Sequence, residues 1–269
     1  MTVATHGPRP VGDSLTMLRR RLLHMRRYPS LTLMLIGQPI VLLVLFVNVF
    51  GATLGAGLAG PGAGRGEYLT YITPAILLMT ISSVALATAL GVATDMTEAI
   101  VTRFRTMAIA RTSVLTGHVV AAFVQTAVAL AVVVLVAVAM GFRTAAGPLG
   151  WLGAVGLLAL VTVALTWFTV ALGLAADTVE SASNTPLFLV LLPFLGSGFV
   201  PTESMPVWLR WFAEYQPFTP MIDALRGLLG VAPSDGLATS SALAAGWCVV
   251  ITVASYLWAR RLYRTRAAR

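Results

Sequence analysis

The sequence predicts an all-α integral membrane protein with six transmembrane helices. An amphipathic interface helix precedes them, and two short re-entrant helices sit on the outer side before the last span. Three observations carry this reading. The chain is 58% hydrophobic and only 10% charged, with a mean hydropathy of +0.87, far from the charge content of a soluble domain. Its apolar residues gather in six uncharged stretches, each long enough at a helical rise to cross a hydrocarbon core of about 30 Å. Between the fifth and sixth stretches lies a passage with two tryptophans and four prolines, Phe194 to Pro220, that an uninterrupted span could not contain.

The first passage, "DSLTMLRRRLLHMRRYPS", starts at Asp13, and Asp13 or Ser14 can cap a helix. Leu15, Leu18, Leu22 and Met25 make one apolar stripe, flanked by Arg19, Arg20, Arg21, Arg26 and Arg27. A basic amphipathic helix of this kind lies in the membrane interface. It serves either as a topogenic anchor or as a docking surface for a cytoplasmic partner. The six spans are then Leu31–Phe50, Leu69–Ala93, Val114–Met140, Trp151–Ala176, Ser181–Phe199 and Ala242–Ala259. The first is too long and too far from the start to be a cleaved signal peptide. Pro39, Pro74 and Pro193 are expected to kink or open their helices.

Arginine sets the orientation, because short cytoplasmic loops carry the positive charge. All 18 basic residues are arginine. With a cytoplasmic amino terminus, 14 lie inside, in the segments before the first span, at Arg103, Arg105 and Arg111, and after Ala259. Only Arg65, Arg143, Arg210 and Arg226 lie outside. Both termini are therefore expected in the cytoplasm of a bacterial plasma membrane. The chain divides into residues 1–30 (cytoplasmic, with the interface helix), 31–259 (the transmembrane domain) and 260–269 (a basic cytoplasmic tail). No soluble domain gathers the net charge of +8 into a patch, so the charge reads as orientation and lipid contact, with no nucleic-acid partner.

Composition also excludes functions. A P-loop ATPase needs a lysine on the β- and γ-phosphates, and this chain has none. Cys248 is the single cysteine, so no intrachain disulfide forms, and His6, His24 and His118 lack metal-ligand spacing. No nucleophile, base and orienter constellation is present, so no catalytic site, bound cofactor or metal is expected. Apart from His118, in the first turns of the third span, no ionisable residue of the acidic, arginine or histidine type lies near mid-span. Ion-driven carriers keep such groups there, so energy is expected from outside the bilayer. Asp95, Glu98, Asp177 and Glu180 fall at cytoplasmic span ends as caps or partner contacts. Gln38, Asn48, Ser82, Ser83 and Gln125 either line a path or tie helices together by interhelical hydrogen bonds.

Two further passages point outward from the spans. In "TDMTEAIVTRFRTMAIARTS", Thr97 can cap a short helix whose Ile100, Phe104 and Met107 share a face, flanked by Arg103 and Arg105. An apolar knob between charges suits a helix-in-groove contact with another protein, or the run is a solvated charge cluster that fixes orientation. After Gly198, Thr202 or Ser204 can cap a helix with Pro206 in its first turn. Trp208, Trp211, Phe212 and Tyr215 then fall at i, i+3, i+4 and i+7. A second start at Thr219-Pro220 leads to Met221, Leu225, Leu228 and Leu229 on one side, with Gly230 as the stop. Each piece is too short to span and too apolar for water, so both belong at the outer interface.

Three motifs carry a resemblance to a known family. They are "RRYPSLTLMLIGQPIVLLVLFVNVFG" (26–51), "EAIVTRFRTMAIARTSVLTGHV" (98–119) and "FLGSGFVPTESMPVWLRWFAEYQPFTPMIDALRGLL" (194–229). The chain resembles the ABC-2 type exporter permeases, most closely the daunorubicin/doxorubicin-resistance branch. That resemblance implies a permease that pairs with a second copy, as a homodimer, and with a dimer of separate ABC ATPase subunits that bind ATP and Mg. Its cargo would be a hydrophobic or amphiphilic compound, a drug, antibiotic or lipid, moved outward by alternating access. By the same likeness, Leu18, Arg19, Arg20, Leu22 and Arg26 belong to the interface helix. Glu98, Ile100, Arg103, Phe104, Arg105 and Met107 belong to the coupling element, and Trp208, Trp211, Phe212, Tyr215, Asp223 and Arg226 to the outer re-entrant pair. One departure is Ala108, where this branch carries proline. The rival reading is a stand-alone carrier that needs no ATPase.

Overall fold

A computed structural model describes residues 29–60, 63–97, 111–232 and 236–266. The interface-helix residues Leu18, Arg19, Arg20, Leu22 and Arg26 lie outside the described residues. So do the coupling residues Glu98, Ile100, Arg103, Phe104, Arg105 and Met107. Every regular element among the described residues is helical.

The chain first runs through α1 (Pro29–Leu45), a π-helical turn (Phe46–Phe50) and α2 (Gly51–Ala59). It returns as α3 (Arg65–Thr97), then as α4 (Arg111–Ala139) and α5 (Pro148–Ala175). Five helices are long and apolar enough to cross a membrane: Met34–Leu58, Arg65–Met96, Gly117–Ala139, Pro148–Ala175 and Leu237–Leu262. The last belongs to α10 (Leu237–Arg266). The described helices run past the sequence-predicted spans at most ends, because a helix continues through the interface until a breaker or cap stops it.

The expected fifth span is not one regular helix. Thr178 caps α6 (Val179–Asn184), its side chain accepting from Ser181 N. A 3₁₀ turn (Thr185–Leu187), α7 (Phe188–Leu191) and a second 3₁₀ turn (Leu192–Leu195) follow. Pro186 and Pro193 stand in the two 3₁₀ turns. Each lacks the N–H that an α-helical ladder needs, which explains the tighter winding. After the turn at Gly196–Val200 come α8 (Val207–Tyr215) and α9 (Phe218–Leu228), as the two apolar pieces of the sequence predict.

α3 is the centre of the bundle. It packs against α1, α2, α4, α5, α6 and α9, whereas α10 rests on α5 and α9. Its interior includes Ile72, Ile76, Leu78, Ile81 and Val84, all fully buried. Its buried hydroxyls turn inward on their own helix. Thr73, Thr80, Ser82, Ser83 and Thr88 each donate to the carbonyl four residues earlier, at 2.6 to 3.1 Å. In an apolar interior a hydroxyl must be paired, and the carbonyl one turn back is the nearest acceptor. The expected interhelical role of Ser82 and Ser83 is therefore replaced by back-bonding. Asn48 does the same through Nδ2 to the Val44 carbonyl, 2.8 Å away, in the π-helical turn.

Candidate functional site

The site stands where the broken segment ends. At Gly196-Ser197-Gly198 the chain turns through a space with no room for side chains on the glycines. A Cβ on Gly196 would lie 2.3 Å from Gln216 Nε2, and one on Gly198 would lie 2.5 Å from the Pro193 carbonyl and 2.9 Å from Ala75. Breaking the helix here leaves peptide carbonyls without helical partners, and in a buried setting they must find donors.

Arg226 on α9 supplies them. Its guanidinium is 4% exposed, and Nη2 donates to the carbonyls of Ser197 (2.7 Å) and Gly198 (3.2 Å). Nη2 and Nε also reach the Tyr71 carbonyl on α3, at 3.1 and 3.2 Å. Tyr71 lies three residues before Pro74, which has no N–H to give the Thr70 carbonyl one turn back, so the helical ladder is interrupted beside it. Nη1 pairs with Asp223 Oδ1 at 3.1 Å, and the guanidinium carbon stands 3.7 Å above the Tyr71 ring. The five donors of a planar fork can satisfy several carbonyls and a carboxylate at once, which a lysine could not.

The rest of the cluster closes around this centre. Tyr71 Oη donates to the Ser197 carbonyl at 2.8 Å, and Tyr68 Oη to the Phe199 carbonyl at 3.3 Å. Ser197 Oγ donates to Asp223 Oδ1 at 2.8 Å. Burial is the largest influence on Asp223 and pushes its carboxyl pKa up; the Arg226 charge and the Ser197 hydrogen bond act against it. Thr219 holds α8 to α9 by donating to the Ala213 carbonyl, and Gln216 Nε2 donates to the Leu192 carbonyl at 3.0 Å. On the opposite side of the turn, Phe199 stacks on Phe194 at 4.1 Å and meets Phe46 of the π-helical turn at 4.9 Å. The turn is thus gripped by polar bonds from α3 and α9 and by aromatic contact from the π-helical turn.

Arg226, which the sequence places among the four arginines outside the spans and in the outer pair, is buried at the centre of this cluster. Asp223 sits beside it, half-buried. The four aromatics do make a face: Trp208, Trp211, Phe212 and Tyr215 are 75%, 67%, 42% and 66% exposed, while Ala213 behind them is buried. Their side chains do not join the Arg226 cluster. Neither Thr202 nor Ser204 caps α8. Both lie in a separate 3₁₀ turn, and Pro206 precedes the helix with extended backbone and no side-chain cap. α9 begins at Phe218 rather than at Thr219-Pro220, and it buries Met221, Leu225 and Leu229. Gly230 ends it as expected, with φ +66° and the Val231 N–H bonded back to the Arg226 carbonyl at 2.9 Å.

At the other end of α3, His118 Nε2 lies 2.9 Å from Asp95 Oδ2, and the histidine is buried. Asp95, expected as a cap or partner contact, thus ties α3 to α4. Thr97, expected to cap a separate helix, is the last described residue of α3. Tyr68, Tyr71, Ser197 and Gln216 are not singled out by the sequence, and Thr219 is read there only as a helix start. The available signals were the proline three residues after Tyr71 and the glycines around Ser197.

The sequence pattern of the ABC-2 type transporter family matches residues 14–229, which covers the site and all but the last span. The chain belongs to the ABC-2 type transporter family. It is a multi-pass membrane protein of that family. It is also 28% identical, over 235 residues, to the daunorubicin resistance ABC transporter permease protein DrrB1 of Streptomyces coeruleorubidus, an alignment that covers 85% of this chain and 80% of the relative.

Proposed function

We propose that this ABC-2 family member is the permease subunit of an ATP-driven exporter in a bacterial plasma membrane. Membership over residues 14–229 is the observation that carries the reading. Two copies form a homodimer and pair with two ABC ATPase subunits, which bind ATP and Mg. The absence of lysine from this chain supports that division of labour. The cargo is a hydrophobic or amphiphilic compound of drug, antibiotic or lipid type, a reading supported by the likeness to a daunorubicin resistance permease. It moves outward by alternating access.

The proposed topology has six spans, with both termini in the cytoplasm, across residues 31–259. Residues 1–30 lie at the inner interface and 260–269 form the inner tail. The broken segment is the fifth span. Val179–Leu195 is shorter than the other candidate spans. Its 3₁₀ portions rise about 2 Å per residue, however, and stretch it to roughly 29 Å, close to the hydrocarbon thickness. α8 and α9 are then the re-entrant pair at the outer side, with the aromatic face of α8 at headgroup level. The loop at 98–110 couples to the ATPase.

Two measurements test this. Purification in mild detergent is expected to recover an ATPase subunit near one-to-one, with substrate-stimulated hydrolysis; a protein that comes away alone and exports without ATP would replace this reading with the stand-alone carrier. Phe104→Asp is expected to reduce stimulated hydrolysis about tenfold, a coupling loss of ordinary size, while membrane insertion persists. Full stimulation in that variant would remove the 98–110 loop from the mechanism.

A further inference from the structure

We infer that Arg226 is a positioning residue that makes the upper end of α3, the Gly196–Val200 turn and α9 one rigid body, so that a displacement of α3 is delivered to the α8–α9 pair. The inference rests on the exporter reading for its consequence, although its structural half stands apart from it.

Geometry supports the rod. α3 spans 33 residues, and from Tyr71 to Thr97 it runs about 39 Å at roughly 1.5 Å per residue. Thr97 adjoins the 98–110 loop, so the helix connects the proposed ATPase contact directly to the Arg226 cluster. Burial on nearly all sides holds the helix in place. Its weak point is Pro74, where a missing hydrogen bond would let the helix flex and absorb a push.

Arg226 braces that point. Two of its nitrogens hold the Tyr71 carbonyl on one side of the proline, while Nη2 also holds the Ser197 and Gly198 carbonyls of the turn. Ala75, on the other side of the proline, lies against Gly198 closely enough to exclude a Cβ. The Pro74 segment of α3, the turn and α9 therefore share one guanidinium and one close contact. Separating them would leave Arg226 with Asp223 of its own helix alone and deprive the Tyr71, Ser197 and Gly198 carbonyls of their shared donor, which disfavours opening here during a transport cycle.

The test uses the full complex with its ATPase in vesicles. Arg226→Gln is expected to lower export per ATP hydrolysed about tenfold, and Arg226→Lys, which keeps the charge but loses the fork, by an intermediate factor. A merely structural role would instead lower assembled complex and hydrolysis together and leave that ratio alone. The second measurement keeps the arginine. Spin labels at Glu67 on α3 and Val200 at the end of the turn, in a Cys248→Ala background, are expected to show the same separation without nucleotide and with a trapped ATP state. A coupling ratio within twofold of the parent, or a separation that changes with nucleotide, overturns the inference. If the Gln variant does not assemble, the label separation decides alone. Absence of ATP-dependent export from the parent complex would instead overturn the exporter reading, leaving the label separation to judge rigidity.

Discussion

α3 and α10 are similarly apolar over their most hydrophobic stretches, yet 78% of that stretch is buried in α3 and only 11% in α10. A hydropathy profile cannot tell them apart. Both helices carry small residues, Ala75, Ala85 and Ala89 on α3 and Ala242, Ala244, Ala245 and Gly246 on α10; what differs is that the large side chains of α3, such as Ile72, Ile76, Leu78 and Ile81, are buried. α10 presents Leu243, Val249, Val250, Val253 and Leu257 outward, large side chains that give a lipid-facing or partner-facing surface its area. In a membrane the interior of the bundle is no more apolar than the lipid, so close packing rather than hydrophobicity decides which helix is central.

The largest expected effect probes the closest approach around α3. A Cβ on Gly173 of α5 would lie 2.6 Å from the Ala89 carbonyl of α3 and 3.2 Å from the Val92 side chain. Gly173→Leu therefore forces the two helices apart and is expected to cost about 3 kcal/mol or more. Thermal stability and the yield of monodisperse protein in detergent would read this, and a normal melting profile would mean that α3 and α5 do not pack as described. A smaller effect is expected at the far end of α3. Tyr71→Phe removes one hydroxyl from the Ser197 carbonyl while Arg226 keeps hold of it, for a loss of about 1 kcal/mol in the same assay. The smallest belongs to α10. Nothing lies within 4 Å of a Cβ on Gly246, so Gly246→Leu is expected to change stability by about 0.5 kcal/mol or less. A large loss there would sharpen the comparison differently, by showing that this face of α10 is covered by another chain.

Much of the fold was legible because membrane crossing leaves a local mark. Long uncharged runs place α1, α3, α4, α5 and α10, and the i, i+3, i+4, i+7 spacing of Trp208, Trp211, Phe212 and Tyr215 places α8. Gly230 as a stop was readable from its residue type, since a left-handed turn suits glycine alone among common residues. The prolines of the fifth apolar run, Pro186 and Pro193, also mark where regular α-winding ends, although the sequence alone reads that run as one span. The candidate site was less legible. Asp223 and Arg226 are three apart on a helix and were read as part of the outer pair, but nothing local says that the arginine points into protein. Its acceptors come from residues 71, 197 and 198, brought together only when α3, the turn and α9 meet.

By itself, then, the sequence determined that this chain is helical and membrane-borne, where its apolar runs lie and where they are interrupted. Those properties depend on hydrocarbon thickness, backbone hydrogen bonding and the missing N–H of proline, all of which act within a few residues. Only the tertiary structure decided that α3 is the central helix, that Ser82 and Ser83 bond to their own backbone, and that Arg226 is an internal tie rather than a surface charge. A residue's surroundings are assembled from distant parts of the chain. A buried cation is tolerated only when such parts supply its acceptors together, as Tyr71, Ser197 and Gly198 do here beside the local Asp223.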